Sequence, residues 1–106
     1  SLHTADPADT GTQGTNEGGY AQYTRISVAR TTGGWVVTSN SVSPVANIDF
    51  PQNTSTSTGT FTHASIGVTS SSTAGKIIAA GTISPNINFS QNVTPRLTTA
   101  SSFTLD

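Results

Sequence analysis

The chain has 106 residues, of which 32% are hydrophobic and 8% are charged, and its formal net charge at pH 7 is −1. A low apolar content without a high net charge excludes a disordered chain, and the abundance of serine and threonine favours β-strands and turns. Nucleic acid is excluded as a partner because the basic residues are too few and too scattered to neutralise a run of phosphates; they are Arg25, Arg30, Lys76 and Arg96.

The chain contains neither cysteine nor methionine. Without cysteine there is no disulfide framework and no thiolate chemistry, which favours assembly in a cytoplasm or stability gained from partners. The missing methionine indicates either a processed start or an upstream segment outside this sequence. No apolar run approaches the roughly 18 residues of a membrane span, and no signal-peptide pattern opens the chain, so we expect no membrane association.

The opening stretch is polar and rich in glycine. Asp6 stands before Pro7, which is typical of the start of a turn, and several glycines follow before Tyr20. We therefore predict a single β domain over residues 1–106, with residues 5–22 forming a long polar loop or arm.

A calcium loop is the first metal site to consider in this stretch. With Asp6 as the first position, Gly11 is sixth and Glu17 is twelfth, where such a loop needs its glycine and its bidentate carboxylate. The third and fifth positions, however, are Ala8 and Thr10, so the inner carboxylate ligands are missing. The pattern fails, and we expect no bound calcium.

A zinc site is the second possibility. His3 and His63 lie in or beside predicted strands, but zinc needs three or four protein ligands and only Asp6 or Asp9 could add a third. We therefore predict no essential metal and no cofactor.

The next elements along the chain read as strands. Residues 25–31 alternate apolar and polar positions, a TTGG turn follows, and residues 35–42 complete a predicted hairpin. Further on, Ile48 and Phe50 lie on one face of a short strand, which Pro51 ends because it has no amide hydrogen to donate.

The second half alternates loops and strands. Residues 51–60 form a Ser/Thr-rich loop that we expect to be exposed and mobile, because no apolar residue anchors it. A strand is predicted over 60–68, a polar turn over 69–75 and another strand over 76–84. The small residues at 79–81 indicate close packing against a neighbour, or a bulge.

Two more strands finish the chain, over residues 86–90 and 96–106. The alternate positions of the second lie on one face; they are Leu97, Thr99, Ser101, Phe103 and Leu105. No helical periodicity is present. The pattern predicts an all-β protein, a two-sheet β-sandwich or jelly roll of about seven or eight short antiparallel strands.

Catalytic patterns are absent from the sequence. There is no G-x-S-x-G elbow, and no close carboxylate pair apart from Asp6 and Asp9. We therefore predict that the chain is not an enzyme. Trp35, Tyr20, Tyr23 and the phenylalanines could instead form a platform on which a sugar ring stacks, but aromatic side chains in a small sandwich more often belong to the core.

The whole chain resembles a known family through its turns and strand edges. The runs that carry the resemblance are "SLHTADPADTGTQGTNEGGYAQYTRISVAR", "GGWVVTSNSV", "IDFP", "GTFTHASIGVTSSSTAGKIIAAGTIS" and "FTLD". They resemble small virion proteins of tailed phages, of the kind described as tail-fibre-like. The resemblance implies a structural role on the virion, assembled in the host cytoplasm, and brings no catalytic residues.

Several placements are compatible with that resemblance. We favour a capsid decoration (cement) protein, with the major capsid protein and copies of itself as partners, because the chain has neither fibrous repeats nor a long helical shaft. The alternatives are a tail fibre or tail-attachment component, or a carbohydrate-binding β-sandwich module that contacts a cell-surface glycan.

The arm is the predicted contact with a partner. It has few apolar anchors of its own, so it could become ordered on a neighbour, and Tyr20 and Tyr23 would supply rigid contact area. Together with Arg25 they are the predicted partner-binding residues. The alternative is that the arm packs on its own domain as an ordinary long connection.

Overall fold

The computed structural model describes residues 1–104, and within them the fold contains eight β-strands and no helix. Accordingly, that part of the chain has no helix that could span a membrane. The strands are β1 (Leu2–His3), β2 (Trp35–Thr38), β3 (Ser41–Pro44), β4 (Ile48–Asp49), β5 (Gly59–Gly67), β6 (Ile77–Phe89), β7 (Arg96–Leu97) and β8 (Phe103–Thr104).

All the strand pairs are antiparallel and form three small sheets, with the orders β1-β5-β6, β2-β3-β8 and β4-β7. The arrangement is sandwich-like. The predicted all-β class and the number of strands are therefore confirmed.

The pair of β5 and β6 is the longest in the molecule. β5 coincides closely with the strand predicted over 60–68, but the separate strands predicted over 76–84 and 86–90 are wrong, because β6 is one strand of 13 residues. Four residues of β6, 83–86, stand opposite Thr62 of β5 alone. β6 lies at an edge of its sheet, where a strand tolerates proline and such an irregularity.

The small residues at 79–81 do not form the bulge themselves. Ala79 is buried in the core, whereas the space beside Gly81 is open. The irregularities lie on either side, at Ile78 and at 83–86. Close packing is therefore found at Ala79 alone.

The predicted hairpin lies further along the chain than expected. Residues 24–29 are irregular, and the observed hairpin is β2–β3, which turns at Ser39 and Asn40. Ser39 adopts a φ of 55°, in the left-handed region that such tight turns require. The TTGG segment does turn, with the Gly34 amide donating to the Thr31 carbonyl at 2.9 Å.

Aromatic rings form the centre of the core. Phe61 is fully buried, with its ring centroid 4.8 Å from that of Phe89 and 6.0 Å from that of Tyr23. A β-carbon at Gly19 or Gly59 would overlap the Phe89 ring. These two positions therefore have no room for a side chain.

The remaining core residues come from every sheet. They are Leu2, Tyr20, Ile48, Phe50, Ala64, Ala79, Leu97 and Phe103. The predicted inward faces of Ile48 and Phe50, and of Leu97 and Phe103, are confirmed. The last two lie on separate strands joined by a turn, and not on one continuous strand; Leu105 lies outside the described residues.

The loop before β5 is anchored by a buried polar residue. Asn53 has no exposed surface, and its side-chain amide donates to the Ser57 carbonyl while its side-chain oxygen accepts hydrogen bonds from Ser55. Its backbone bonds to Asn92 and Val93. The expectation that this loop has no anchor is therefore wrong, because the buried side-chain amide of Asn53, and not an apolar residue, anchors it.

Candidate functional site

The arm over residues 5–22 contains no strand, and it packs on its own domain. Gln13 is its most buried polar residue. Its amide nitrogen donates to the Thr69 carbonyl at 2.9 Å, and its amide oxygen accepts from the Thr69 backbone at 3.1 Å. A β-carbon at Gly67 or Gly75 would overlap the Gln13 side chain, so the glutamine occupies a slot between two glycines.

A buried ion pair forms the second attachment of the arm. Arg25 Nε and Nη2 donate to the two carboxylate oxygens of Glu17 at 2.6 and 2.5 Å, in the bidentate geometry typical of strong Arg–carboxylate pairs. The side chains of Arg25 and Glu17 are only 7% and 12% exposed. The Tyr23 hydroxyl donates to the same carboxylate and accepts a hydrogen bond from the Leu2 amide. The Glu17 carboxylate therefore connects the arm to β1, through Tyr23, and to Arg25, which follows the arm in the sequence.

The other end of the guanidinium binds the turn between β5 and β6. Arg25 Nη1 donates to the carbonyls of Ser72 at 2.8 Å and Thr69 at 3.4 Å. Because Gln13 binds the same turn, the arm and the turn hold each other in place.

The surroundings set the charge state of this network. Burial alone raises the pKa of Glu17, but the hydrogen bonds from Arg25 and Tyr23 and the charge of Arg25 outweigh it and hold the pKa below its usual range. The hydrogen bond to Glu17 raises the pKa of Arg25, and burial raises that of Tyr23. Glu17 is therefore ionised and Tyr23 is a neutral donor at neutral pH.

The predicted partner-binding residues Tyr20, Tyr23 and Arg25 all point into this domain. Tyr20 is buried against the Phe89 ring, and its hydroxyl donates to the Pro51 carbonyl at 2.6 Å. The structure thus shows the alternative arrangement, in which the arm packs on its own domain. Direct contact of these three residues with a partner stays a prediction, and it requires the arm to detach.

The two histidines lie opposite each other in the β1–β5 register. His3 is fully buried, with Nδ1 2.8 Å from the Thr15 carbonyl oxygen and Nε2 2.7 Å from Ser65 Oγ. Since a carbonyl only accepts, Nδ1 carries the proton and Nε2 accepts from the serine. Both ring nitrogens are occupied within the domain.

The possible metal ligands of the sequence do not converge. No group of three or more histidine and carboxylate side chains is placed to hold a metal among the residues that the structure describes. Glu17, the twelfth position of the failed calcium pattern, binds Arg25 instead.

Burial also lowers the pKa of His3 below its usual value of 6.5. As the pH falls below about 6.5, the unfolded chain takes up a proton at this histidine before the folded chain does, so the free energy of unfolding must fall. Glu17 adds to the loss below its usual pKa of about 4.5, because its folded pKa is lower. Both groups make the protein less stable in acid.

We expect His3→Asn to remove the part of this pH dependence that sets in below about pH 6.5, since the asparagine amide keeps a donor near Thr15 but does not titrate. Urea unfolding at a series of pH values measures it, and His63→Asn is the matched control. An unchanged slope in His3→Asn would show that His3 is not the titrating group.

A cleft with a volume of about 330 Å³ lies beside β2 on the described surface. Phe50, Leu97 and Phe103 contribute to its floor, and Trp35 lines it at the start of β2. Tyr20 and Tyr23 are absent from the lining. Tyr20 and Tyr23 therefore share no sugar-stacking platform with Trp35, because they pack on the core away from the cleft, whereas the buried Phe50 and Phe103 line the cleft beside it.

Sequence reasoning missed two features of this region: the role of Gln13 and Glu17 as anchors, and the apolar cleft. The only signal for the ion pair was the scarcity of charge, since only nine side chains in the whole chain are acidic or basic (five acidic and four basic). In such a chain, a charged residue near the predicted core is expected to have a partner of opposite charge.

Comparison with known proteins identifies the family. Residues 1–103 match the family model described as "Podophage GP4 fiber I protein gp80". No curated protein and no solved structure matches the chain. The family match covers nearly the whole sequence and agrees with the resemblance to small virion proteins of tailed phages. The chain therefore belongs to the family of the podophage GP4 fiber I protein gp80, whose members are structural proteins of the bacteriophage virion.

Proposed function

We propose that this chain is a non-enzymatic structural subunit of a fibre on the virion of a tailed phage. The observation that carries the proposal is the family match over residues 1–103, whose description names a fibre protein. It favours the tail-fibre alternative over the capsid decoration that the sequence alone favoured. The absence of fibrous repeats and of a helical shaft favours decoration on sequence alone, but a small sandwich-like domain is also compatible with a fibre, outside its shaft.

The interior supports a structural role. Among the described residues, no buried side-chain nitrogen or oxygen lacks a hydrogen-bond partner. A fully satisfied polar interior favours a single rigid arrangement. The buried side chains of Gln13 and Asn53, and the ion pair of Glu17 and Arg25, hold loops to the domain. Their hydrogen bonds therefore serve the fold, which suits a building block of a larger assembly.

The carbohydrate-binding alternative has less support. Sugar recognition requires polar groups that are free to bond the ligand, placed around an aromatic face. In the cleft beside Trp35, the side chains of Gln13 and Arg25 already bond to Thr69, Ser72 and Glu17. The exposed Arg30 is the charged side chain of the lining that forms no ion pair in the described structure. What the cleft offers is mainly apolar surface.

Electron microscopy of virions labelled with gold-conjugated antibody against this chain tests the placement. We expect gold particles at the tail end of the virion, because the proposed fibre attaches there. Virions treated with pre-immune serum serve as the control. Gold distributed over the whole head would contradict the fibre proposal and favour capsid decoration.

A further inference from the structure

The β2–β3 hairpin extends beyond the core and leaves part of its inner face uncovered. Residues directly opposite on neighbouring strands point to the same side of a sheet, as do alternate residues of one strand. Trp35, Val37 and Val42 therefore share a face with Phe103, which is buried. Along this face, exposure rises from the half-buried Trp35 to Val37, whose surface is 68% exposed. One end of this face therefore belongs to the core, and the other end is bare, that is, exposed to solvent.

The cleft begins where this bare face ends. Trp35 belongs to both, and the rim of the cleft includes Ile26, Val68 and Ile78. These three are among the six large apolar residues that the described surface exposes. Concentration of exposed apolar side chains at one concave place is typical of an interaction site.

The chemistry of the cleft restricts what can occupy it. Arg25 is neutralised by Glu17, and the amide of Gln13 is bonded to Thr69. Arg30 also lines the cleft, but it is exposed and can stay in water. An occupant that reaches the apolar floor must therefore itself be apolar, because a charge buried there would find no partner.

The hairpin of the same chain meets this requirement. Residues 35–44, "WVVTSNSVSP", contain no ionisable side chain, and they expose Val37 together with Val36. β2 has only β3 as a neighbour in the described sheet, so its outer edge is open to contact. The net charge of −1 opposes the approach of a second copy only weakly.

We propose that a second copy of the chain covers this face, with Val37 of each copy inserted into the cleft of the other. The cleft and Val37 lie on the same side of the β2–β3–β8 sheet, so one two-fold axis brings both pairs together, which is the self-complementary arrangement of a symmetric dimer. This inference rests on the proposed function, in which copies of the chain build one structure.

Reciprocity matters for the size of the contact. A stable interface buries about 1,200–2,000 Å² in total, and one cleft of about 330 Å³ accepts only a few side chains. Two reciprocal insertions bury twice the area of a single one, which favours the symmetric arrangement.

Neighbouring valines provide a matched pair of variants. Val36 and Val37 are both exposed and adjacent in β2, but they point to opposite faces of the sheet. In sedimentation equilibrium of the full chain at micromolar concentrations, we expect a dimer. Val37→Asp should raise its dissociation constant at least about 30-fold, while Val36→Asp leaves it within about threefold. A monomeric wild type, or equal effects of the two variants, would overturn the proposal.

Disulfide trapping tests the contact directly, because the chain has no cysteine of its own. A Val37→Cys copy mixed with an Ile78→Cys copy and oxidised should give a mixed disulfide dimer, since Ile78 lines the cleft of the neighbour. The same mixture with Val36→Cys should give little. Equal yields from the two mixtures would show that the hairpin does not enter the cleft.

These results are separable from the proposed function. Self-association that Val37→Asp leaves intact would overturn this interface but not the fibre placement, which the labelling of virions tests independently.

Discussion

Replacing Arg25 by alanine should lower the free energy of unfolding by about 3 kcal/mol, the loss expected when one partner of a buried ion pair is removed. Glu17 would keep its charge in a site where 88% of its side chain is covered, and only Tyr23 would remain as a strong donor to it. The Ser72 carbonyl would also lose its donor, whereas the Thr69 carbonyl would keep the hydrogen bond from Gln13. Equilibrium unfolding in urea, followed by the fluorescence of Trp35, the single tryptophan, measures this loss.

The chain offers a matched control at its surface. Arg96 forms a similar pair with Asp49 across β4 and β7, but the two side chains are 53% and 46% exposed. Water and salt screen such a pair, so we expect Arg96→Ala to leave the unfolding midpoint nearly unchanged. Equal effects of the two arginine variants would contradict the view that Arg25 locks the arm to the domain.

Replacing Phe61 by alanine should cost about 3–5 kcal/mol, the range for removing a buried aromatic ring. Phe61 is fully buried and lies against Tyr20, Tyr23 and Phe89. Its loss would therefore leave a cavity among these three rings. The same urea titration measures the effect. Because this loss is a large share of the stability of a small domain, the variant should unfold at a much lower urea concentration.

Val68→Ala is the control for this substitution. Val68 is apolar but 57% exposed, so its truncation should change the free energy of unfolding by no more than about 0.5 kcal/mol. A loss below about 1 kcal/mol in Phe61→Ala would mean that the aromatic cluster is not the centre of the core.

The parts of the fold that could be predicted are those where local pattern and tertiary position agree. Ile48 and Phe50 alternate with polar neighbours and do face the core, and the strand predicted over 60–68 is β5 within one residue. In both places, period-two alternation and flanking turn residues specify the same structure.

The failures come from contacts distant in sequence. Residues 25–31 have a strand pattern, but Arg25 bonds to Glu17 and to the turn after β5, and no strand pairs with this segment in the described structure. The sequence predicts that a strand ends before Pro85, but Pro85 lies within β6. An edge strand tolerates proline because it needs no amide hydrogen at that position.

The arm shows the same limit at the candidate site. Its composition is that of a loop, and nothing local indicates that Gln13 occupies a slot formed by Gly67 and Gly75, more than 50 residues away. The apolar cleft could not be predicted from the sequence either, because its rim contains residues distant in sequence, Ile26 and Ile78. Both features depend on the tertiary arrangement of strands, which composition and periodicity do not determine.

The number of copies in the virion tests the central claim, that this chain is a subunit of a fibre. Quantitative mass spectrometry of purified virions, with the major capsid protein as the internal standard, gives that number. A fibre subunit at the tail should be present in a multiple of three or six, in the tens or fewer, because tail assemblies are closed symmetric rings of few members. A count in the hundreds, in fixed ratio to the major capsid protein, would contradict the account and place the chain on the capsid lattice.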